Sequence, residues 1–342
     1  MKLFLSLFLF SLISFSNHAI ANNTTKELIV IKSTTNRDET NTGDYWIAND
    51  LSLAFKSFGY NTETDYRTEY HRSHPKEPML NIYMRGYTKF SPPFGKNTNM
   101  LYVYYPMAYD KNSITPKQKN KLNTRSIMPQ NANLDDDFQN FDIIAVASKS
   151  YTEELNKFGI NAIYIPQFTN PEKFYPSFQE DLKTDILFVG SNWHDRTSLR
   201  YALELGYNVS VYGYNWHNIV PHNMYKKEYI PNEKLNQYYS SAKIVLNDHR
   251  PDMKEFGFIN NRIYDATASG ALVVSDYIKE LDEIYQGSVP LYKTKEELDA
   301  ILKYYLTHEK ERQILAQKAR QITLQNFTNT NIAKQILSNI KK

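Results

Sequence analysis

From Lys26 onward, short apolar runs alternate with stretches whose apolar positions recur at helical spacing. ELIVIKS (27–33) reads as a buried strand, and MLNIYMRG, NMLYVYYP, FDIIAVAS and NAIYIPQ read as four more. Between the first two, DYWIANDLSLAFKSFGY places Trp46, Ile47, Leu51, Leu53, Ala54 and Phe58 on one helical repeat, with Gly59 as the stop. SYTEELNKFGI predicts a short helix opening at Ser150, with Glu153 as capping-box partner and Gly159 at its end. FTNPEKFYPSFQEDLKTD then interrupts the rhythm with two prolines and mixed charge, and reads as a linker. Alternation resumes with strands in ILFVGS, NVSVYGY, KIVLND and ALVVSD. Helices are predicted in RTSLRYALELG, NEKLNQYYSSA, NNRIYDATASG, TKEELDAILKYYLTH and EKERQILAQKARQITLQNF.

Strands that alternate with helices indicate parallel, helix-covered sheets. The expected fold class is therefore α/β, with two Rossmann-like domains facing each other across a cleft. The expected boundaries are a first domain over 22–168, a linker over 169–184 and a second domain over 185–325. A C-terminal helix over 326–342 is expected to pack back on the first domain.

The first 21 residues follow another pattern, with Lys2, an apolar run from Leu3 to Phe15 and a small-residue site at Ala19-Ile20-Ala21. This is the arrangement of a secretory signal peptide cut after Ala21. The run is short of the ~20 residues a membrane-spanning helix needs. Export to the periplasm or medium is the expectation, with an uncleaved N-terminal anchor as the second reading and no membrane span after cleavage. The chain has no cysteine, which removes disulfides, thiol nucleophiles and Cys-rich zinc sites. Net charge is +3 from 40 basic and 37 acidic residues, so no nucleic-acid footprint is expected. The histidines form no metal-ligand spacing, and neither a metal nor a cofactor is expected.

Chemistry concentrates where strands end. After ILFVG come Gly190, Ser191 and Asn192, able to present backbone donors to a phosphate, or to form an ordinary turn. After VSVYG, Tyr214 and the residues that follow either stack on a base or line the core. The densest stretch is HRPDMKEFGFINNRIYDATASGALVVSD, read as a polar loop carrying Arg250 and Glu255, then a helix opening at Asn261 and Arg262. A cation at a helix N-terminus opposes the macrodipole unless an anion sits there, which marks Arg262 as a phosphate ligand. Asp265 follows one turn later, placed to accept ribose hydroxyls. In the first half, Gly43 with Asp44 and Arg85 with Gly86 lie in loops after strands. Asp44 is either a substrate contact or the cap of the helix it opens.

That dense stretch resembles the donor-binding segment of GT-B glycosyltransferases, in particular the spore-maturation-type branch of the bacterial group 1 enzymes. There the pattern runs R-P-x-M-R-E-G-G-F-x-x-N-R-x-F-E-A-x-A-C-G. Arg250, Pro251, Met253, Glu255, Gly257, Phe258, Asn261, Arg262, Ala266, Ala268 and Gly270 fall in register with it. FVGSNWHDR, IPNEKLNQYYSSAKIVLN, GDYWIANDLSLAFKSFGY, RGYTKF and FDIIAVASKSYTEELNKFG are similar to other segments of the same branch. The resemblance implies transfer from a nucleotide-sugar donor, without a bound metal and with retention, to a glycan, lipid or protein acceptor. It implies Glu255, Arg250 and Arg262 at the reacting centre, and Gly190, Ser191, Asn192, Tyr214, Asn261 and Asp265 on the donor. Gly43, Asp44, Arg85 and Gly86 would face the acceptor side of the cleft. Two departures qualify it. Asp265 stands where the branch has Glu, and Phe256 replaces a glycine expected beside the sugar. The alternative reading is an exported, non-catalytic nucleotide- or carbohydrate-binding protein on the same scaffold.

Overall fold

The computed structural model describes residues 27–70, 72–85, 97–104, 106, 141–157 and 159–340. The expected signal peptide and Gly86 lie outside the described residues. Two parallel sheets organise the chain. The first contains β1 (Leu28–Lys32), β2 (Asn61–Asp65), β3 (Leu80–Arg85), β4 (Thr98–Val103), β5 (Ile143–Val146) and β6 (Ala162–Tyr164). Its strand order is β2-β1-β3-β4-β5-β6. The second contains β7 (Thr184–Val189), β8 (Ser210–Tyr212), β9 (Tyr225–Lys227), β10 (Ala242–Asn247), β11 (Leu272–Asp276) and β12 (Leu291–Tyr292). Its order is β12-β11-β10-β7-β8-β9. Both orders reverse direction once, at β1/β3 and at β7/β10, and ligands of open α/β sheets sit beyond the strand ends at such switch points.

β1 (LIVIK) is buried at every position, as a strand covered on both faces must be. Helix α1 (Gly43–Ser57) follows it and presents Ile47, Leu51, Ala54 and Phe55 to that sheet. Its cap is Thr42, whose hydroxyl accepts from the Tyr45 amide at 3.4 Å. Asp44 is therefore in the first turn rather than at the cap, and accepts instead from Thr34 Oγ1 at 2.9 Å. Helix α2 (Lys149–Lys157) is likewise capped two residues earlier than expected. Ser148 Oγ accepts from the Tyr151 amide at 3.1 Å, because Ser148 stands where the chain leaves β5. Ser150 lies inside the first turn.

In the second domain, α3 (Thr197–Glu204), α4 (Leu235–Ser241), α5 (Pro251–Phe256), α6 (Asn261–Ala268), α7 (Lys279–Tyr285), α8 (Lys295–Thr307) and α9 (Glu309–Asn326) cover the sheet. Helix α5 replaces the polar loop expected around Glu255. Pro251 at its first turn pre-sets a helical φ, and Gly257 closes it at φ +72°. Two segments then cross between the domains side by side. The Thr169 amide donates to Phe327 O at 2.9 Å, and the Asn329 amide to Thr169 O at 2.8 Å. After the second crossing, α10 (Asn329–Ile340) buries Ile332, Ala333 and Ile336 in the core of the first domain.

A further contact joins the domains. Phe258 and Met253 from the second domain belong to the first domain's core. The Tyr151 ring meets Phe256 and Phe258 with centroids 5.7 and 5.4 Å apart. Ser148 Oγ donates to Phe256 O at 2.6 Å. Among the described residues no helix is long and apolar enough to cross a membrane.

Candidate functional site

A cleft of about 720 Å³ opens between the domains at the switch points of both sheets. Thr42, Gly43 and Trp46 line it from the start of α1, and Asn261, Arg262 and Asp265 from the start of α6. Two helix N-termini thus face one cavity from opposite sides, each a region of positive potential. The β7 loop adds Gly190, Ser191, Trp193 and Arg196. The β8 loop adds Tyr214 and Asn215, and the turn after β9 adds Tyr229, Ile230 and Asn232.

The floor is set by two loops pressed together. Gly190 N donates to Tyr212 O at 2.8 Å, and Asn192 N to Tyr214 O at 2.9 Å. Those amides already have partners, so at Gly190 and Asn192 the expected phosphate donors serve to join the loops. The close approach depends on Gly213, at φ +143°, where a Cβ would collide with Gly190 O. Ser191 Oγ accepts from Tyr214 N at 3.1 Å. Trp216 Nε1 donates to Gly190 O at 2.7 Å and its ring meets Phe188 edge-on, which makes Trp216 core. Trp193 is its opposite, a cleft residue that is 73% exposed.

Positive charge comes from side chains instead. Arg262 Nη1 donates to Asn247 Oδ1 at 2.9 Å, a neutral partner. Arg196 pairs with Asp248 at 3.0 Å and donates from Nε to Ser191 O at 2.9 Å. Both guanidiniums lie within 6 Å of the Phe188 ring centre, Arg196 at 5.8 Å and Arg262 at 5.9 Å. Burial, with repulsion from Arg262 and Arg250 against the pull of Asp248, brings the Arg196 pKa down to about 10. His194 is pushed down to about 3, by burial first and then by Arg196, Arg250 and Arg262. Its Nε2 is buried with no hydrogen-bond partner among the described residues. Burial and the field of the three arginines thus keep this imidazole neutral.

Asp248 also determines which helix end is already occupied. Its Oδ2 accepts from Ser198 Oγ at 3.0 Å and from the Ser198 amide at 3.4 Å, so the N-terminus of α3 already holds a carboxylate. That leaves the N-termini of α1 and α6 facing the cavity. Arg250 lies outside the described lining of the cleft and grips Asp252, with 3.1 and 3.0 Å contacts from Nε and Nη2.

Asp265 is 6% exposed and lines the cleft. Burial holds its carboxyl well above the ordinary range, opposed by Thr169, Lys173 and Arg262 and reinforced by Asp50. Asn261 Nδ2 donates to its Oδ2 at 3.2 Å. Glu255 is placed elsewhere. It is exposed on α5 and lines a smaller cavity of about 170 Å³ with Lys149, Lys254, Glu280 and Glu283. Phe256 packs against Tyr151 at the domain contact, so it does not narrow the cleft as the glycine replacement suggested. Arg85 is buried at the end of β3, and Gly43 is exposed at the cleft wall. Among the described residues no cluster of three or more His, Cys, Asp or Glu is arranged to hold a metal.

Several cleft residues were not singled out from the sequence: Asn41, Thr42, Trp46, Arg196, Tyr229 and Asn232. Arg196 carried a readable signal, since it stands just before a helix after a strand, the same argument that selected Arg262.

Comparison with known proteins bears on the fold and on the second half of the chain. Residues 185–338 match the model of a glycosyl transferase-like family. The spore protein CgeB of Bacillus subtilis (strain 168) is 27% identical over 188 residues, which cover 49% of this chain and 58% of that protein. The match therefore spans little more than half of that relative. Among solved structures, a sucrose-phosphate synthase from Thermosynechococcus elongatus superposes with a TM-score of 0.65 at 12% identity, covering 92% of this chain and 98% of the other. HepE of Anabaena, in complex with UDP-glucose, gives 0.63 at 11% identity, covering 92% and 99%. An alpha-glucosyltransferase in complex with UDP gives 0.62 at 10% identity, covering 92% and 100%. The chain therefore carries the GT-B fold, and its residues 185–338 are similar to the glycosyl transferase-like family.

Proposed function

We propose that the chain transfers a sugar from a nucleoside-diphosphate donor to an acceptor, holding the donor mainly through its second domain. The observation that carries this reading is Arg262. A guanidinium sits on a helix N-terminus at the cleft wall, held by a neutral amide and neighboured by Arg196. Such positive potential is stabilising only with an anion present. As the sugar–phosphate bond breaks, charge builds on the departing diphosphate, and fixed cations in a partly dry site stabilise that charge without reorganising. Arg262 and Arg196 fill this role, with Arg250 reinforcing the field. Asp265 accepts from the ribose, and Tyr214 and Tyr229 flank the base. The UDP and UDP-glucose held by the similar structures favour a uridine nucleotide. Retention and independence of a bound metal belong to the same proposal, on the resemblance to the group 1 enzymes. So does export, which the mass of the mature N-terminus tests.

One observation favours the second reading, binding without turnover: Glu255 lies off the described cleft wall. Incubation with UDP-, GDP- and dTDP-sugars, read by release of the nucleoside diphosphate, separates the two. Release from one donor that is abolished in Arg262→Ala supports transfer. Binding without any release, in the presence of glycan, lipid and peptide acceptors, contradicts it.

A further inference from the structure

Asp265 is one methylene shorter than the glutamate its position resembles, so where its carboxylate points matters more than it would for a longer side chain. Its own helix supplies Asn261 Nδ2 on Oδ2 at 3.2 Å, and the shorter of its two contacts comes from outside. Thr169 Oγ1 donates to Asp265 Oδ1 at 2.7 Å, and Thr169 is 1% exposed. A β-branched side chain that deeply buried has little rotamer freedom, and no water is at hand to replace its hydroxyl. Its backbone is fixed on both sides, by Phe327 O and by the Asn329 amide. The next residue is tied to the first domain, where Asn170 Nδ2 donates to Asp50 Oδ1 at 2.9 Å. Asn329 Nδ2 donates to Asp50 O at 3.0 Å, so both crossing segments converge on α1.

We propose that Thr169, a residue of the inter-domain crossing, is the positioning residue for the donor-side carboxylate Asp265, so that recognition of the nucleotide's ribose depends on a side chain outside the donor domain. The inference rests on the reading of the cleft as a nucleotide site. It goes beyond that reading by assigning ribose affinity to a residue that touches no ligand. A buried acceptor that loses its short hydrogen bond keeps only the longer contact from Asn261 and is held less firmly, whereas the arginine site is untouched. Thr169 therefore acts on the ribose contact and not on the diphosphate contact.

The test compares two probes, UDP and inorganic pyrophosphate, by calorimetric titration of the full chain. Thr169→Val keeps the shape and removes the donor. It is expected to weaken UDP about tenfold and to leave pyrophosphate within about twofold, with Thr169→Ser restoring UDP affinity. Equal weakening of both probes, or unchanged UDP affinity, overturns the proposal. If Thr169→Val does not fold, Thr169→Ala is read against the same two probes. Wild-type protein that binds neither probe removes the nucleotide reading itself, a different result from a wild type that binds both and a variant that behaves identically.

Discussion

Glu280, near the start of α7, is 6% exposed and points across the domain contact. Its Oε1 accepts from the Ser150 amide at 2.5 Å, while Oε2 is buried without a hydrogen-bond partner among the described residues. Burial pushes its carboxyl from the ordinary 4.5 up to about 7, against backbone donors at Ser150 and Lys149, and with Glu283 adding repulsion. The folded protein thus prefers Glu280 protonated. The stability gained from this is fully present below about pH 4.5 and is lost as pH rises through about 7. The gap between those values, at about 1.36 kcal/mol per pH unit, bounds the effect at about 3 kcal/mol, and screening by nearby lysines reduces it to about 2 kcal/mol. Glu280→Gln mimics the protonated state and keeps an acceptor for Ser150. Urea unfolding at pH 4, 6 and 8 should find the two proteins similar at pH 4 and the variant more stable by about 2 kcal/mol at pH 8. A stability difference that stays constant across this range refutes the reasoning, because it means Glu280 titrates as it does in the unfolded chain.

Three further predictions concern positions that hold the site together. Gly257→Ala places a Cβ on Ser150 Oγ in a backbone at φ +72°, and should cost about 2 kcal/mol or more in urea unfolding. Gly190→Ala has no positive φ to strain, but its Cβ would lie 2.9 Å from Arg262 Nη2 and 3.3 Å from Arg196 Nη2. It should cost about 1–2 kcal/mol in urea unfolding, since Arg262 and Arg196 must shift from their hydrogen-bonded positions, and weaken pyrophosphate binding severalfold by titration. Asp248→Asn leaves Arg196 buried without its counter-charge and weakens the cap of α3, so thermal or urea unfolding should show a loss of about 3 kcal/mol.

Much of the scaffold was readable from periodicity alone. β1, β3, β4, β5, β6, β7, β8, β10 and β11 fall where apolar runs placed them. The strands that were missed, β2, β9 and β12, share a physical reason: each is a sheet edge. β2 reads NTETD, and with one side unpaired and faces half exposed it needs no apolar run to form. α5 and α7 span six and seven residues, too short for a helical repeat to declare itself. Arg262 was legible because an arginine at a helix start is electrostatically odd by itself. The cleft wall at Thr42, Trp46 and Tyr229–Asn232 was not, although Gly43 was named, since its role comes from two domains meeting and no local pattern encodes that. The same holds for Glu255, whose place in the motif suggested the sugar and whose helix turns it to a separate cavity. Thr169 was hidden inside a stretch that reads as a mere linker.

Whether the arginine-lined cleft is built for a nucleoside diphosphate is read from a thermal-shift titration of UDP against wild type and Arg262→Ala. At about 100 times its dissociation constant a ligand adds about 2.7 kcal/mol of stability, well within reach of the measurement. A clear upward shift is expected for wild type and is lost in Arg262→Ala, while the two unliganded proteins melt close together. A wild type indifferent to UDP, GDP and dTDP, or an Arg262→Ala variant that responds as wild type does, contradicts it.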